Sequence, residues 1–340
     1  MIVRARAPLR LGLAGGGTDV SPYCDRHGGA VLNVTIDRYA YTILVPGDDR
    51  RVSFAAPDID AAYDGPADSD LPNCPLPLHR AVYRRVVQDF RGGEPAPCRI
   101  TTFCDAAPGS GLGSSSTMVV SLLKAFVEWL NLPLGEYEIA RLAYAIERID
   151  AGLAGGRQDQ YAATFGGVNF MEFGADDRVI VNPLRIKNWI VSELETSLVL
   201  FDSGVSRSSA AIIAEQSDQV GQGAPLAAMH AIRADAFRMK ECLLRGELSA
   251  FAAGMRQSWE AKKALAQPIS NARLDTVIAA GMAAGAQAGK VSGAGGGGFV
   301  MFMVPPERRV DVMRALAQQD GTVSACHFTQ HGTEGWKIYD

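Results

Sequence analysis

The sequence predicts an α+β protein of two domains, and three observations carry that prediction. Each half opens with alternating or β-branched runs and then turns to helical periodicity, so strands and helices are grouped and not wound as regular βαβ units. At 340 residues the chain is longer than one core usually serves. With 47% hydrophobic residues it can fill a large core.

The elements follow in order. Alternating or β-branched runs place strands at Val3–Ala7, Ala30–Ile36, Tyr39–Val45, Arg51–Ala55 and Arg99–Phe103. Helical periodicity covers Pro77–Arg91, Ser115–Leu130 and Gly135–Ile149. Strands return at Gly167–Phe173, Val179–Leu184 and Ser197–Phe201. The second half is mostly helical, with patterns over Ser208–Ser217, Ala224–Arg245, Leu248–Leu265 and Asn271–Ala284. It closes with a strand at Phe299–Val304, a helix at Glu307–Gln319 and strands at Thr322–Thr329 and Trp336–Tyr339. The Pro-containing, mixed-polarity stretch Asn182–Trp189 reads as the boundary, giving domains of residues 1–186 and 187–340.

Composition excludes several classes. A net charge of −4 with scattered signs argues against nucleic acid as a partner, which wants a basic face. No apolar run approaches the roughly 20 residues of a membrane span, so no membrane partner is expected. The start, MIVRARAPLRLGL, has too short an apolar part for a signal peptide and no small-residue cleavage site. Cys24, Cys74, Cys98, Cys104, Cys242 and Cys326 show no CxxC pairing or metal spacing and read as reduced core thiols of a cytoplasmic protein.

Chemistry concentrates in glycine-rich segments. PGSGLGSSSTMVVSLLKAF (Pro108–Phe126) puts glycines and serines where an apolar helix must start. A helix N-terminus offers unpaired N–H groups and a positive dipole end, so an anion site competes here with an ordinary surface turn. The segment lacks the lysine of a Walker loop, and Ser114 stands where a dinucleotide fingerprint needs its third glycine. A second cluster, KVSGAGGGGFVMF (Lys290–Phe302), sets five glycines in six residues before a buried strand. Two such loops, each beside a core element, favour phosphate binding over two unrelated turns. A third segment, APLRLGLAGGGTDV (Ala7–Val20), carries Arg10 in a strand pattern and Asp19 after a triple glycine.

In that order the three segments resemble the motifs of the GHMP family of small-molecule kinases: a basic residue and an Asp, then P-x3-G-L-[GS]-S-[SA], then G-A-G-x-G-G. The resemblance spans the chain nearly end to end. It implies the two-domain fold of that family, a ribosomal protein S5 domain 2-like N-terminal domain and a ferredoxin-like C-terminal one. A fourth region, ERIDAGLAGGRQDQYAATFGG (Glu147–Gly167), resembles the galactokinase signature in which an Asp follows a glutamate by twelve residues.

By this resemblance Asp159 and Arg10 are the catalytic pair, with Arg10 keeping Asp159 ionised. ATP is held by Pro108, Gly109, Ser110, Gly111, Leu112, Gly113, Ser114, Ser115 and Ser116, and by Gly293, Ala294, Gly295 and Gly296. Ser115 and Glu147 hold Mg²⁺; taken alone, Glu147 would pass for a solvated helix charge. Gly15, Gly16, Gly17, Thr18 and Asp19 form the sugar loop. Galactokinases place Glu-His where Gly16-Gly17 stand, so galactose is not the expected substrate. The string AGGGTDVSPYCDRHGGAVLNVTIDRYAY, with SWEAKKAL and KVSGAGGGGF, is most similar to D-glycero-D-manno-heptose 7-phosphate kinases. That similarity implies phosphorylation of the anomeric hydroxyl of a sugar phosphate for nucleotide-heptose and surface-glycan synthesis. An L-fucokinase-like activity and a non-catalytic sugar and ATP sensor are the alternatives; a dehydrogenase would have to bind NAD.

A phosphate requirement is also expected. Gly16-Gly17 removes an acidic side chain and bares backbone N–H groups. Arg207 and Ser208 stand at the start of an expected helix, suited to a phosphate. A helix cap, or a contact to ATP, would account for them equally, and Lys262 and Lys263 compete for the role.

Overall fold

The structure, a computed structural model, describes residues 1–67, 70–205, 223–265 and 269–339. Strands β1 (Ile2–Ala14) and β2 (Gly29–Pro46) run antiparallel as the spine of the first sheet. Both exceed the expected runs. Ala7 to Arg10 are buried without a break, as in a strand covered on both faces, so alternation fails there while the strand continues. The runs expected at Ala30–Ile36 and Tyr39–Val45 are one strand, with Asp37 exposed between its two buried halves. The first half of β2 pairs with β6 (Val168–Phe173) and the second with β5 (Cys98–Cys104). The sheet order is β12-β1-β2-β5-β3-β4, with β3 at Arg51–Ala56, β4 at Ala61–Pro66 and β12 at Glu334–Ile338; β7 (Val179–Pro183) adds to β6.

A short helix α1 (Tyr23–His27) leads into β2. Helices α2 (Pro77–Phe90) and α3 (Ser114–Leu130) bury Val82, Tyr83, Leu122 and Phe126 against Val3, Leu44, Phe54 and Ile100 of the sheet. Helix α4 (Glu136–Ala145) runs into a π-helical turn at Ile146–Asp150, and α5 (Gln158–Phe165) follows. The eight polar-rich residues of α5 are too few for periodicity to reveal.

Helix α6 (Asn188–Ser197) opens the second half, and β8 (Leu198–Asp202) begins a four-stranded sheet. Helices α7 (Ala224–Arg245), α8 (Leu248–Lys263) and α9 (Ala272–Ala283) precede β9 (Ala288–Val291) and β10 (Phe299–Met303); α10 (Arg309–Leu316) and β11 (Thr322–Ala325) follow. The order β11-β8-β10-β9, antiparallel throughout, is the ferredoxin-like arrangement. The helix expected at Ser208–Ser217 lies outside the described residues.

The division at residue 186 is not a clean cut. Strand β12, from the last residues, pairs with β1 and closes the edge of the first sheet. One apolar cluster also runs across both halves, joining Leu9, Leu11 and Leu32 of the first sheet to Leu200 and Met301 of the second through Met239 and Phe251. The halves therefore meet over a shared core, which fixes their approach. The six cysteines are free, and all but Cys104 are buried. Among the described residues no helix is long and apolar enough to cross a membrane.

Candidate active site

Helix α3 begins on the backbone alone. Its N-cap, Gly113, has φ 79°, a left-handed conformation open to glycine, and no side chain caps the first turn. The first N–H groups thus keep their donors and the dipole keeps its positive end, as an anion requires. A Cβ on Gly113 would lie 3.2 Å from Asp159 Oδ2, so the helix start abuts that carboxylate.

The second glycine-rich loop closes directly onto the first. Phe299 N–H donates to Ser110 O (2.9 Å), and Ser292 Oγ donates to Gly111 O (2.8 Å). A Cβ at Gly111 would meet Ser292 O at 2.5 Å, and one at Gly298 would meet Ser110 O at 2.1 Å. This adds a reason for the glycines that phosphate contact alone does not supply: two backbones from different domains pack without side chains between them.

Arg10 lies under this junction. Its Nε and Nη2 reach Asp159 Oδ1 at 2.7 and 2.6 Å, and its Nη1 donates to Gly111 O at 2.8 Å. Asp159 sits in the first turn of α5 and stays partly open, at 19% exposure, whereas Arg10 is 4% exposed. The two side chains are paired, with the guanidinium buried and the carboxylate partly open.

Thr18 and Asp19, expected in the sugar loop, are bonded within the chain. Thr18 Oγ1 donates to Gly15 O (2.7 Å), and Ala30 N–H donates back to Thr18 Oγ1 (3.0 Å). Asp19 is 1% exposed. Its Oδ2 accepts Gln158 N–H (3.0 Å), and its Oδ1 accepts Gln158 Nε2 and Gly17 N–H (both 3.1 Å). Asp19 therefore caps α5 from a distant loop and sets the helix that carries Asp159. Burial, partly offset by these bonds, raises its pKa. Of the N–H groups expected bare at Gly16-Gly17, that of Gly17 is given to Asp19. Gly16 and Gly17 are half-buried, and a Cβ on Gly17 would meet nothing within 4 Å, so the loop leaves room at that point.

Glu147 is buried in the π-helical turn and is no solvated charge. Gln160 Nε2 donates to Glu147 Oε2 (2.6 Å) and to Ser116 Oγ (3.1 Å), while Arg148 Nη1 pairs with Glu147 Oε1 (3.2 Å). Gln160 thus links the Ser116 hydroxyl to Glu147, beside the Ser115 expected as a metal ligand. Among the described residues no cluster of three or more acidic, His or Cys side chains could hold a metal.

Two buried lysines join the site from the second domain. Lys290 Nζ donates to Gly12 O (3.0 Å) and Leu13 O (3.2 Å) on β1. Lys262, on α8, donates to Gly293 O in the second glycine-rich loop. Burial pulls the Lys262 pKa down to about 8, with Arg10 acting in the same direction, and that of Lys290 down to about 7, with Lys262 and Arg10 adding to it. Lys290 went unnoticed in the sequence although it opens the KVSGAGGGGF string. Arg207 and Ser208 lie outside the described residues.

Known proteins share this architecture. The GHMP kinases N terminal domain matches residues 78–167, and the GHMP kinases C terminal domain matches residues 239–321. The D-glycero-alpha-D-manno-heptose 7-phosphate kinase of Campylobacter jejuni is 46% identical over 337 residues, 99% of each chain. The L-fucokinase/L-fucose-1-P guanylyltransferase of Bacteroides fragilis is 26% identical over 93% of this chain and 36% of its own. A crystal structure of a D-glycero-D-manno-heptose 1-phosphate kinase from Bacteroides thetaiotaomicron superposes with a TM-score of 0.86 at 46% identity, over 99% of this chain and 100% of that one. Galactokinase of Lactococcus lactis, at 16% identity and a TM-score of 0.77, shares the fold. With both domain matches in place and near-complete alignment to a kinase at 46% identity, the chain belongs to the GHMP kinase family.

Proposed function

We propose that the protein transfers the γ-phosphoryl group of ATP to the anomeric hydroxyl of D-glycero-D-manno-heptose 7-phosphate. The observation that carries the chemistry is the Arg10–Asp159 pair set against the uncapped start of α3. Phosphoryl transfer asks a protein for in-line positioning and charge stabilisation, with little covalent work. The α3 N–H groups and the two glycine-rich loops hold the triphosphate. Asp159 accepts a hydrogen bond from the attacking hydroxyl, and Arg10 holds Asp159 and shares the charge on the phosphoryl oxygens. Gly16 and Gly17 form the floor of the sugar site.

A carboxylate and serine hydroxyls are the hard oxygen donors that Mg²⁺ takes. Glu147 with Ser115 or Ser116 would hold the ion in exchange for the Arg148 contact, and Mg²⁺ bound there would neutralise phosphate charge. ATP as donor places the enzyme in the cytoplasm.

The heptose reading rests on the full-length 46% identity to a heptose 7-phosphate kinase, against 26% to the fucokinase. The two relatives at 46% are named for different phosphate positions, so the assay must separate them. Turnover of heptose 7-phosphate is compared with that of heptose 1-phosphate, unphosphorylated heptose and L-fucose. A charge-assisted phosphate contact of roughly 2–3 kcal/mol predicts a preference of about 30- to 150-fold in kcat/KM for the 7-phosphate over the free sugar. Equal rates on the two would remove the phosphate requirement and favour a fucokinase-like activity.

A further inference from the structure

We propose that Lys262 is a second phosphoryl-contacting residue, supplied by the C-terminal domain, whose ammonium donates to the γ-phosphate oxygens of ATP beside Arg10. The inference rests on the kinase activity, not on the identity of the sugar.

Lys262 is 6% exposed, and Gly293 O is its one hydrogen-bond acceptor among the described residues. An ammonium has three donors, so two find no acceptor among the described residues, in a place where water is scarce. A surface lysine extends its head to solvent along an apolar stem, and this one does not. Lys290 makes the contrast: its ammonium is committed to two carbonyls of β1.

Charge leads to the same conclusion. Arg10, Lys262 and Lys290 converge where the carboxylates in reach are Asp19 and Asp159. Asp19 is already bonded through both oxygens to Gln158 and Gly17, and Asp159 is held by Arg10. Arg10 and a protonated Lys262 thus stand against carboxylates already bonded elsewhere, a setting that favours an incoming anion.

Position selects the anion. The carbonyl that holds Lys262 belongs to Gly293, whose Cβ would lie 2.8 Å from Gly111 Cα. Gly111 O in turn binds Arg10, and Gly113 borders Asp159. Lys262 is therefore linked to the reacting end of the site. In a heptose 7-phosphate the existing phosphate is six carbons removed from the anomeric carbon that Asp159 would serve. During transfer the new bond forms between the sugar oxygen and Pγ while the bond from Pγ to the β-bridging oxygen breaks. The electron pair leaves with ADP, and the hydroxyl proton passes to Asp159. Lys262 stays protonated throughout and stabilises the equatorial oxygens.

The test needs no sugar for its first arm. Binding of AMPPNP and of ADP to the full-length protein is measured by calorimetry for wild type, Lys262→Met and Lys262→Arg. Lys262→Met should weaken AMPPNP about 10-fold and leave ADP within about 2-fold, while Lys262→Arg recovers most of the loss. An equal change for both nucleotides, or none, overturns the proposal. This arm reads the same whichever sugar is accepted, so a failed heptose assay cannot be mistaken for failure here.

The second arm uses MgATP and heptose 7-phosphate. Lys262→Met should lower kcat about 100-fold with the sugar KM within about 3-fold. A raised sugar KM with kcat preserved would move Lys262 to the substrate phosphate and overturn the assignment. Lys337→Met is the control, because Lys337 donates to Asn131 at the surface (2.7 Å), away from the site, and should behave as wild type. Thermal melting of each variant establishes that it folds.

Discussion

Asp159 and Arg10 show how two side chains divide one task. The guanidinium is buried and spends three N–H groups on Asp159 and Gly111 O, so it cannot wander. The carboxylate stays partly open. Asp159→Asn retains shape and one acceptor but loses the charge that Arg10 balances and the capacity to take a proton. Its kcat should fall by about 10²- to 10⁴-fold while ATP affinity stays within a few-fold, because backbone N–H groups hold the triphosphate. Steady-state kinetics beside nucleotide calorimetry separate the two quantities, and wild-type turnover would remove Asp159 from the mechanism. Asp19 works at one remove. Its two oxygens take the N–H and the side-chain amide of Gln158, one residue before Asp159, so a carboxylate that touches no reacting atom still orients one that does.

At the scale of elements, the site is assembled from starts and irregularities. Helix α3 supplies a bare N-terminus, α5 supplies its first turn, and the π-helical turn after α4 supplies Glu147. A π-helical turn carries an extra residue, and such turns recur at functional sites. Here the turn buries Glu147 against Gln160 of α5 and Ser116 of α3, so three elements share one polar knot. Glu147→Gln keeps the shape and removes the charge. The Mg²⁺ concentration needed for half-maximal activity should rise about 10-fold or more with the sugar KM little changed, since a neutral amide is a poorer ligand for a hard cation. An unchanged Mg²⁺ titration would leave Glu147 as the partner of Arg148 and Gln160 alone.

For the whole molecule, the decisive feature is that the two glycine-rich loops interlock across the domains over a common core. Gly298→Ala tests this directly. The added methyl would fall 2.1 Å from Ser110 O, on a residue with φ 75°, so backbone must move on both counts. KM for ATP should rise about 10-fold, and the melting temperature should drop by several degrees, because the loop pair and the shared core are one unit. A variant that melts and binds ATP like wild type would mean that the loops are independent. The tail adds a second tie: Thr35 and Thr329 exchange hydrogen bonds, and β12 covers the β1 edge that would otherwise stand unpaired.

Resemblance to a known family pointed to Asp159, Arg10 and Glu147; the linear sequence itself determined the fold class, most of the strands and long helices, and the glycine-rich segments. Those features rest on local chemistry: periodicity, β-branching, and glycine where backbone must approach backbone or anion. What escaped was set by contacts between distant residues. Four-residue β9 is too short for a period, and β4 carries Gly and Pro within it, so both are strands only because a neighbour pairs with them. Strand β12 joins the first sheet although it lies at the far end of the chain. Asp19 became a cap for α5, and Gln160 linked Ser116 to Glu147, because side-chain direction follows helix phase and loop path, which motif spacing does not encode. Lys290 drew no notice in the sequence and Lys262 stood there only as a competitor for a phosphate; both are buried beside Arg10 because the second domain packs over β1.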